Sequence, residues 1–280
     1  MEGNIYCFSC YIWNIEHTLK LAELVKKAIP QAFVAFGGPE VSYCPDEILR
    51  CNPFVDAVMI GEGEETLGEL VDALESGEVC PVIAGLAVRG KCVARRPPLD
   101  LGRIPMPYTR EDIRQLKDRM IYFETSRGCP FHCSYCLSSA EGAVRWFPMD
   151  YVKKGLGMLL EEEVPLIKLL DRSFNCHPVR TEEILRFVLE HNRCSCVHME
   201  LEPRLLTERL IRLLAEAPAG TFQVEIGIQT ANPDTLAAVR RTPLSPEAET
   251  RIKQLTELPG VHVHLDLIAG LPMEGYQSFA

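Results

Sequence analysis

Cys129-Pro130-Phe131-His132-Cys133-Ser134-Tyr135-Cys136 is a segment in which three cysteines follow the spacing Cys-x3-Cys-x2-Cys. It comes after an apolar run, Met120 to Thr125, and a turn in which Gly128 lets the backbone bend sharply. Three thiolates on one tight loop can hold three irons of a cubane iron–sulfur cluster. Because the loop has no fourth cysteine, one iron would keep an open position, as catalytic metal sites do. The segment therefore predicts a catalytic cluster whose ligands are Cys129, Cys133 and Cys136.

Two alternatives remain open for these cysteines. They could form a zinc knuckle whose fourth ligand comes from Cys176-His177 or from Cys194-x-Cys196-x-His198. Neither candidate has the paired ligand spacing of a second knuckle. The cysteines could also be unligated, buried thiols.

The composition limits the class of protein. The chain has 280 residues, enough for two domains, and a net charge of −10 with no basic block, which argues against a broad nucleic-acid surface. Its 12 cysteines are irregularly spaced, so reduced thiols fit better than a disulfide framework, and Cys7-x-x-Cys10 is interpreted as two buried thiols. We find no signal-peptide pattern and no apolar run long enough to span a bilayer. We therefore expect a soluble, cytoplasmic protein that does not enter a membrane.

The cysteine loop, including the aromatic Tyr135 before the last cysteine, resembles the signature of the radical S-adenosylmethionine (radical SAM) superfamily. The resemblance implies that the amino and carboxylate groups of S-adenosylmethionine chelate the open iron of a 4Fe–4S cluster. It also implies reductive cleavage of the sulfonium, release of a 5′-deoxyadenosyl radical, and an external electron donor such as flavodoxin or ferredoxin.

Residues 1–88 alternate between strand and helix patterns, with glycine-rich turns where strands end. This alternation predicts a partial doubly wound, Rossmann-like α/β sheet, in which ligands sit at the carboxyl ends of the strands. The predicted strands are residues 5–9, 33–36 and 57–60, and the predicted helices are 15–28 with Asn14 as its cap, 46–50 and 67–75.

The same segment resembles the later two-thirds of a cobalamin-binding domain. Ser9 and the pair Gly37-Gly38 stand where that family brackets the nucleotide tail of cobalamin, although Tyr11 replaces the usual leucine. The Asp-x-His-x-x-Gly loop of the family is not in this chain, so no lower axial histidine can be named. A Rossmann-like domain without a cofactor is the alternative.

A hairpin pattern at residues 84–95 and several prolines lead to the second domain. We place the linker at residues 89–117 and the second domain at 118–280. This domain repeats strand and helix, and the resemblance favours a partial (β/α)6 barrel. Five strands are counted where the family has six, so we expect a fragment or shortened product at both ends. The predicted strands are 120–125, 166–170, 197–202, 223–229 and 262–268, and the predicted helices are 150–163, 179–192, 207–217, 233–240 and 246–257.

Three of these strands carry polar residues on one face, whereas parallel strands covered by helices should be apolar on both faces. We expect these faces to line the inside of the barrel and to meet a ligand, water or opposite charge, because unpartnered buried polar groups are costly. An internal salt-bridge layer without a ligand is the alternative. The residues are His198, Glu200 and Glu202, then Glu225, Gly227 and Gln229, then His262, His264 and Asp266.

Other segments resemble radical SAM features, in particular those of the cobalamin-dependent members and the related tRNA-modifying methylthiotransferases. The resemblance implies contacts to S-adenosylmethionine by Glu200 or Glu202, by Gln229 in a Gly-x-Gln-Thr turn, and by Arg240-Arg241 through the cofactor carboxylate. It also implies that residues 171–175 adjoin the methionine moiety and that residues 267–272 flank the adenine. The alternative for the arginine pair is a solvated helix end, and for Arg127 an ordinary ion pair rather than a partner for cluster charge.

These observations lead to one main functional hypothesis and two alternatives. The main hypothesis is a cobalamin-type radical SAM enzyme that acts on a small-molecule or unknown substrate, with methyl transfer to carbon or phosphorus if cobalamin binds. The alternatives are a non-catalytic metal- or cluster-binding module and a radical SAM enzyme whose first domain is empty.

Overall fold

Strands and helices alternate along the chain in the computed structural model, which describes residues 4–78, 81–92, 94–116, 118–140 and 142–279. The chain divides into two units, Met1–Asp100 and Leu101–Ala280. Both units contain parallel sheets with helices packed on them, which confirms the predicted α/β class.

The first unit is a five-stranded sheet in the order β1-β2-β3-β4-β5. β1, β2 and β3 run parallel, and the antiparallel hairpin β4–β5 completes the sheet beside β3. The elements are β1 (Ile5–Ser9), α1 (Ile15–Ala28), β2 (Phe33–Gly37), α2 (Pro39–Ser42), α3 (Pro45–Cys51), β3 (Ala57–Met59), α4 (Glu64–Glu75), β4 (Leu86–Val88) and β5 (Lys91–Cys92).

Three local predictions for the first unit were wrong. Asn14 precedes α1 but does not cap it, because its side chain instead accepts from the Tyr11 backbone N–H at 2.8 Å and donates to the Ser9 carbonyl at 2.9 Å. α4 begins at Glu64, three residues before the predicted start, and α2 was not predicted. Cys7 is exposed, since it lies on the opposite face of β1 from the side chains that pack into the core.

The second unit is built on five parallel strands in the order β12-β11-β10-β9-β6, which confirms the predicted strand count. A separate two-stranded ribbon, β7–β8, lies on either side of the cysteine loop in sequence. The elements are α5 (Arg110–Gln115), β6 (Ile121–Phe123), β7 (Ser126–Arg127), β8 (Arg145–Trp146), α6 (Met149–Glu161), β9 (Leu166–Leu169), α7 (Pro178–His191), β10 (Cys196–Leu201), α8 (Glu208–Ala215), β11 (Phe222–Gln229), α9 (Pro233–Ala238), α10 (Pro246–Thr256), β12 (Val261–Leu267) and α11 (Tyr276–Phe279).

The main core of the second unit lies between the sheet and its helices. Ile167, Val197 and Val224 project from neighbouring strands and are fully buried together with Leu156 of α6 and Val188 of α7. Since side chains alternate across a strand, the residues between these apolar positions point to the other face of the sheet. The sheet therefore has one apolar face covered by helices and one polar face.

Candidate functional site

The cysteine loop connects β7 to β8. It follows β6 and so lies at the carboxyl end of the parallel sheet. Cys133 is buried, with 7% of its surface exposed, and Cys129 and Cys136 are half-buried. Gly128 has a φ of +94°, and a Cβ there would lie 2.9 Å from the Ala143 carbonyl oxygen. The tight turn predicted before the first cysteine therefore requires glycine.

Asp171, two residues beyond the end of β9, anchors the chain where it enters the cysteine loop. Its carboxylate accepts hydrogen bonds from the Thr125 backbone N–H at 2.9 Å, the Thr125 hydroxyl at 2.6 Å and the Ser126 hydroxyl at 2.5 Å. Asp171 is 1% exposed. Burial raises the pKa of Asp171, although these hydrogen bonds and Arg180 oppose that shift.

Ser173 extends this anchor to the first cysteine. Its hydroxyl lies 3.6 Å from the Cys129 sulfur. Burial raises the pKa of the Cys129 thiol, while hydrogen bonds from the Phe131 backbone and Ser173 lower it. The segment 171–175, which the sequence predicted to adjoin the cofactor, therefore contacts the cysteine loop itself.

Two arginines contact the loop, Arg204 from the turn after β10 and Arg241 from the turn after α9. The Arg204 guanidinium lies 4.8 Å from the centre of the Phe131 ring. The Arg241 guanidinium lies 3.5 Å from the Cys133 sulfur and 3.5 Å from the Tyr135 hydroxyl, and it donates to the Gly227 carbonyl at 2.8 Å. Positive charge next to thiolates favours their ionised, metal-binding form.

The structure distinguishes between the two arginines of the predicted pair. Arg240 lies in the turn after α9, is exposed and has a φ of +58°. Arg241, the next residue, points toward the cysteine loop. The predicted role of Arg240 in binding the cofactor carboxylate stays a prediction. Arg127 forms an ion pair with Glu124 at 2.8 Å, in agreement with the simpler interpretation of that residue.

Arg241→Gln is expected to loosen the cysteine loop and to lower the midpoint potential of a reconstituted cluster. The substitution removes a half-buried cation and its charge-assisted hydrogen bond, so we expect a loss of about 2 kcal/mol in the free energy of unfolding. Hydrogen bonds and net charge near the sulfurs also set cluster potentials. Urea unfolding and a spectroscopic redox titration measure the two effects. Arg240→Gln, at the exposed neighbour, is the matched control, and equal behaviour of both variants would contradict this role for Arg241.

The three cysteines of the loop are a donor set that suits an iron–sulfur cluster. Within the described ranges, no three His, Cys, Asp or Glu side chains converge in a geometry that could hold one ion. A zinc site needs all its ligands about 2.3 Å or less from one atom, whereas each thiolate of a cubane cluster binds a different iron. The three thiols on one loop, with the Arg241 guanidinium beside Cys133, are compatible with the second arrangement.

Glu202 and Gln229 lie near the carboxyl ends of β10 and β11, where the resemblance predicted contacts to S-adenosylmethionine. Glu202 is buried just beyond β10, exchanges backbone hydrogen bonds with the Asn175 side chain, and comes within 3.9 Å of Arg241. Gln229 has a φ of +71°, and its buried amide oxygen has no hydrogen-bond partner in the part of the chain that the structure describes. A ligand that donates a hydrogen bond would satisfy this oxygen.

Glu200 lies apart from this group, on the polar face of the sheet. β10 ends at Leu201, so Glu200 is within the strand and pairs in register with Glu225 of β11, whereas Glu202 lies outside the strand. Burial raises the pKa of Glu200, and Arg172 opposes that shift. The predicted pair of alternatives, Glu200 or Glu202, thus corresponds to two different environments.

The polar faces predicted for three strands form one continuous surface with a fourth strand. A cavity of about 280 Å³ opens on it, and its lining includes Lys168 of β9, His198 of β10, Glu225 of β11, and His264 and Asp266 of β12. Lys168 was not recognised from the sequence. Its signal was a charged residue in the middle of the otherwise apolar run Leu166–Leu170.

In the first unit, Ser9 and Gly37 are direct partners in the register of β1 and β2. The turns after β1 and β2 are joined by two backbone hydrogen bonds. The Cys10 N–H donates to the Gly37 carbonyl at 2.7 Å, and the Glu40 N–H donates to the Cys10 carbonyl at 3.2 Å. Ser9, Gly37 and Gly38 therefore meet at the carboxyl edge of the sheet, the edge at which such sheets bind ligands.

Gly38→Ala is expected to displace this edge. Gly38 has a φ of +100°, and an added Cβ would lie 2.6 Å from the Cys10 carbonyl oxygen. The backbone conformation alone costs an L-residue about 1–2 kcal/mol, and the overlap adds to that cost. The free energy of unfolding of the first unit, measured by urea titration, should decrease. The amount of cobalamin retained on gel filtration should also decrease. Gly77→Ala is the control, because Gly77 has a φ of +86° but no atom lies within 4 Å of the place that a Cβ would take. An equal effect at both positions would show that the close approach is unimportant.

No helix in the described ranges has both the length and the apolar character needed to cross a bilayer.

Two family models match the chain. The model of the B12 binding domain matches residues 4–71, and the model of the radical SAM superfamily matches residues 123–280. The two matches fall in the first and second structural units, respectively.

Several known proteins are similar to the chain over nearly its whole length. The 2-(S-pantetheinyl)-carbapenam-3-carboxylate methyltransferase of Streptantibioticus cattleyicolor is 28% identical over 99% of this chain and 44% of its own length. The cobalamin-dependent radical SAM methyltransferase TokK of Streptomyces tokunonensis is 26% identical over 100% of this chain and 44% of its own length. The uncharacterized methyltransferase PH0819 of Pyrococcus horikoshii is 30% identical over 91% of this chain and 57% of its own length. The chain thus spans about half the length of these relatives.

A solved structure shares the fold. The radical S-adenosylmethionine methyltransferase TsrM from Kitasatospora setae, with cobalamin and a [4Fe-4S] cluster bound, matches 99% of this chain and 60% of its own with a TM-score of 0.77 and 18% identity. The radical SAM domain implies a 4Fe–4S cluster and S-adenosylmethionine as cofactors, and the B12-binding match implies cobalamin. The chain belongs to the radical SAM superfamily and carries a B12-binding domain ahead of its radical SAM domain.

Proposed function

We propose that this chain carries the cofactor sites of a cobalamin-dependent radical SAM methyltransferase, with Cys129, Cys133 and Cys136 as the ligands of its 4Fe–4S cluster. The observation that carries the proposal is the cysteine loop, which Asp171 and Arg241 fasten to the carboxyl end of a five-stranded parallel sheet. Similarity to methyltransferases along nearly the full chain supports it. When bound, the cluster and cobalamin supply the electron for cleavage of S-adenosylmethionine and a carrier for the methyl group.

The side chains of the chain bind and orient in this proposal. Gln229, with its unpartnered amide oxygen, accepts a hydrogen bond from S-adenosylmethionine, and Glu202 and Arg240 contribute further polar contacts. Glu200 contacts the same cofactor or the substrate from the polar face of the sheet. Arg241 holds the loop and provides positive charge beside Cys133.

The first unit binds the tail of cobalamin in this proposal through Ser9, Gly37 and Gly38. These residues lie together at one sheet edge, where the backbone approaches closely and leaves no side chain in the way at the two glycines. The remaining assignments are a small-molecule substrate, an external electron donor such as flavodoxin or ferredoxin, and residence in the cytoplasm.

Anaerobic reconstitution of the chain with iron, sulfide and cobalamin tests the proposal. We expect about four irons and four sulfides per chain, the composition of one 4Fe–4S cluster. We also expect cobalamin to be retained on gel filtration. With dithionite and S-adenosylmethionine, the loaded protein should release methionine and 5′-deoxyadenosine, or S-adenosylhomocysteine when cobalamin is methylated.

Each result separates the proposal from its alternatives. Bound zinc without acid-labile sulfide would support a non-catalytic metal-binding module. A loaded cluster without cobalamin retention would support a radical SAM enzyme with an empty first domain. A fully loaded cluster that releases none of the cleavage products would contradict catalysis by this chain.

A further inference from the structure

The polar face of the second sheet gathers charged side chains from four neighbouring strands. Lys168 and His198 are register partners on β9 and β10, and Glu225 of β11 is the register partner of His264 on β12. Asp266 lies one pleat farther along β12, opposite Gly227. Because register brings these residues to the same face, they surround the cavity of about 280 Å³ described above.

Glu225 is the centre of this group. Its carboxylate accepts from the Nε2–H of His198 at 2.9 Å, and the Lys168 ammonium lies 3.6 Å away. It also shares a hydrogen bond with Asp266. Burial raises the pKa of Glu225, but Asp266, Lys168 and His198 outweigh that effect and the pKa is lowered. Glu225 is therefore ionised at neutral pH.

The cavity has more acceptors than donors. Among the described residues that line it, Lys168 is the one side chain with a fixed positive charge, and it faces Glu225 and Asp266, with Glu200 in the neighbouring position. Burial raises the pKa of Asp266 and of Glu200, as expected where negative charge lacks a full set of partners. A cationic ligand would supply the missing charge.

His198 adds an independent sign of a missing donor. The residue is 3% exposed and lines the cavity, and its Nδ1 has no hydrogen-bond partner within the described ranges. Burial and Lys168 lower the pKa of His198, so the ring is neutral. Since Nε2–H donates to Glu225, Nδ1 is left as a buried acceptor, and an unsatisfied buried acceptor is destabilising.

We propose that this cavity is a binding subsite for a protonated primary amine, which on the proposed function is a part of the substrate. An ammonium group brings three donors and one positive charge, which suits the carboxylate of Glu225 and the carboxyl oxygens of Asp266 in the cavity that His198 also lines. A carboxylate or phosphate would meet two or three acidic side chains and a lysine that is already paired. The volume lies just below that of sites for whole drug-sized ligands, so the cavity holds one end of a molecule.

Propylammonium is the probe, with 1-propanol and propionate as controls of similar shape. Thermal unfolding of the 280-residue chain and NMR titration at pH 7 measure binding without iron or S-adenosylmethionine. We expect propylammonium to bind with a millimolar dissociation constant and to raise the melting temperature, and we expect neither control to do so. If 1-propanol or propionate binds as well as propylammonium, the inference is wrong.

Two substitutions should shift this affinity in opposite directions. Glu225→Gln removes the central charge and leaves Lys168 unpaired, so propylammonium should bind at least tenfold more weakly. Lys168→Met removes the competing cation, so propylammonium should bind several-fold more tightly. Glu249→Gln, at an exposed position on α10, should change nothing.

If the charged side chains around the cavity have only a structural role, the two variants should behave differently. In that case both substitutions lower stability and neither changes the response to propylammonium. If Glu225→Gln does not fold, Lys168→Met still decides, because unchanged or weaker binding by that variant overturns the inference. Loss of cluster loading would instead concern the proposed function alone, since the probe needs no cofactor.

Discussion

Replacing Cys133 with alanine is expected to abolish cluster loading and cleavage of S-adenosylmethionine. Each of the three cysteines of the loop is proposed to hold a different iron, so two remaining thiolates leave one iron without a protein ligand. Loss of a residue that only supports a metal ligand costs about 10–100-fold in metal affinity or activity, and loss of a ligand itself should exceed that range. Iron and sulfide analysis after anaerobic reconstitution, with quantification of methionine release, gives the measurement.

Three further cysteine variants show whether the loss of cluster loading is specific to the loop. Cys129→Ala and Cys136→Ala should behave as Cys133→Ala does. Cys194→Ala removes an exposed thiol in the same unit and should retain full iron content and activity. Normal loading in any one of the three loop variants would contradict the ligand set. Loss of loading in Cys194→Ala would indicate a general effect of cysteine replacement.

Asp171→Ala is expected to produce the second large effect, and to do so without any cofactor. The carboxylate accepts three hydrogen bonds from Thr125 and Ser126, and it is buried beside Arg180. Alanine leaves the buried donors of Thr125 and Ser126 without their acceptor, and an unsatisfied buried polar group costs about 1–3 kcal/mol, so a total of about 3–5 kcal/mol is expected. We expect a loss of this size in the free energy of unfolding of the iron-free chain, measured by urea titration of the circular dichroism signal.

The same variant should also load its cluster poorly, because Asp171 sets where the chain enters the cysteine loop. Ser126→Ala removes one of the three hydrogen bonds and should cost only about 1 kcal/mol. Asp118→Ala, at an exposed position, should leave both stability and loading unchanged. An Asp171→Ala protein with normal stability and normal loading would show that the anchor is dispensable.

Much of the second unit was predictable from local sequence patterns. The five strands appear within about two residues of their predicted ends, since apolar runs and helix periodicity mark buried strands and their covering helices. The prediction for the cysteine loop needs no long-range contact, because its three cysteines lie within eight adjacent residues. Asn14 shows the limit of such reasoning, since a residue suited to cap a helix bonded instead to the turn between Ser9 and Tyr11.

Contacts between distant segments were not predictable in this way. The sequence predicted that the pair Arg240-Arg241 would meet the cofactor carboxylate, but only the turn after α9 decides that Arg241 points to the loop. The role of Asp171 depends on β6 and β9 being neighbours, which places its carboxylate beside Thr125. Lys168 joins the polar cavity because four strands align in register.

The sequence by itself determined the family, the α/β alternation and the position of the three-cysteine loop, because each is encoded by residues close together in the chain. The tertiary structure alone decided which charged side chains face one another: Asp171 at the loop, Arg241 beside Cys133, and Glu225 among Lys168 and His198. The physical reason is that electrostatic and hydrogen-bond partners are selected by distance in space, which strand order and register set.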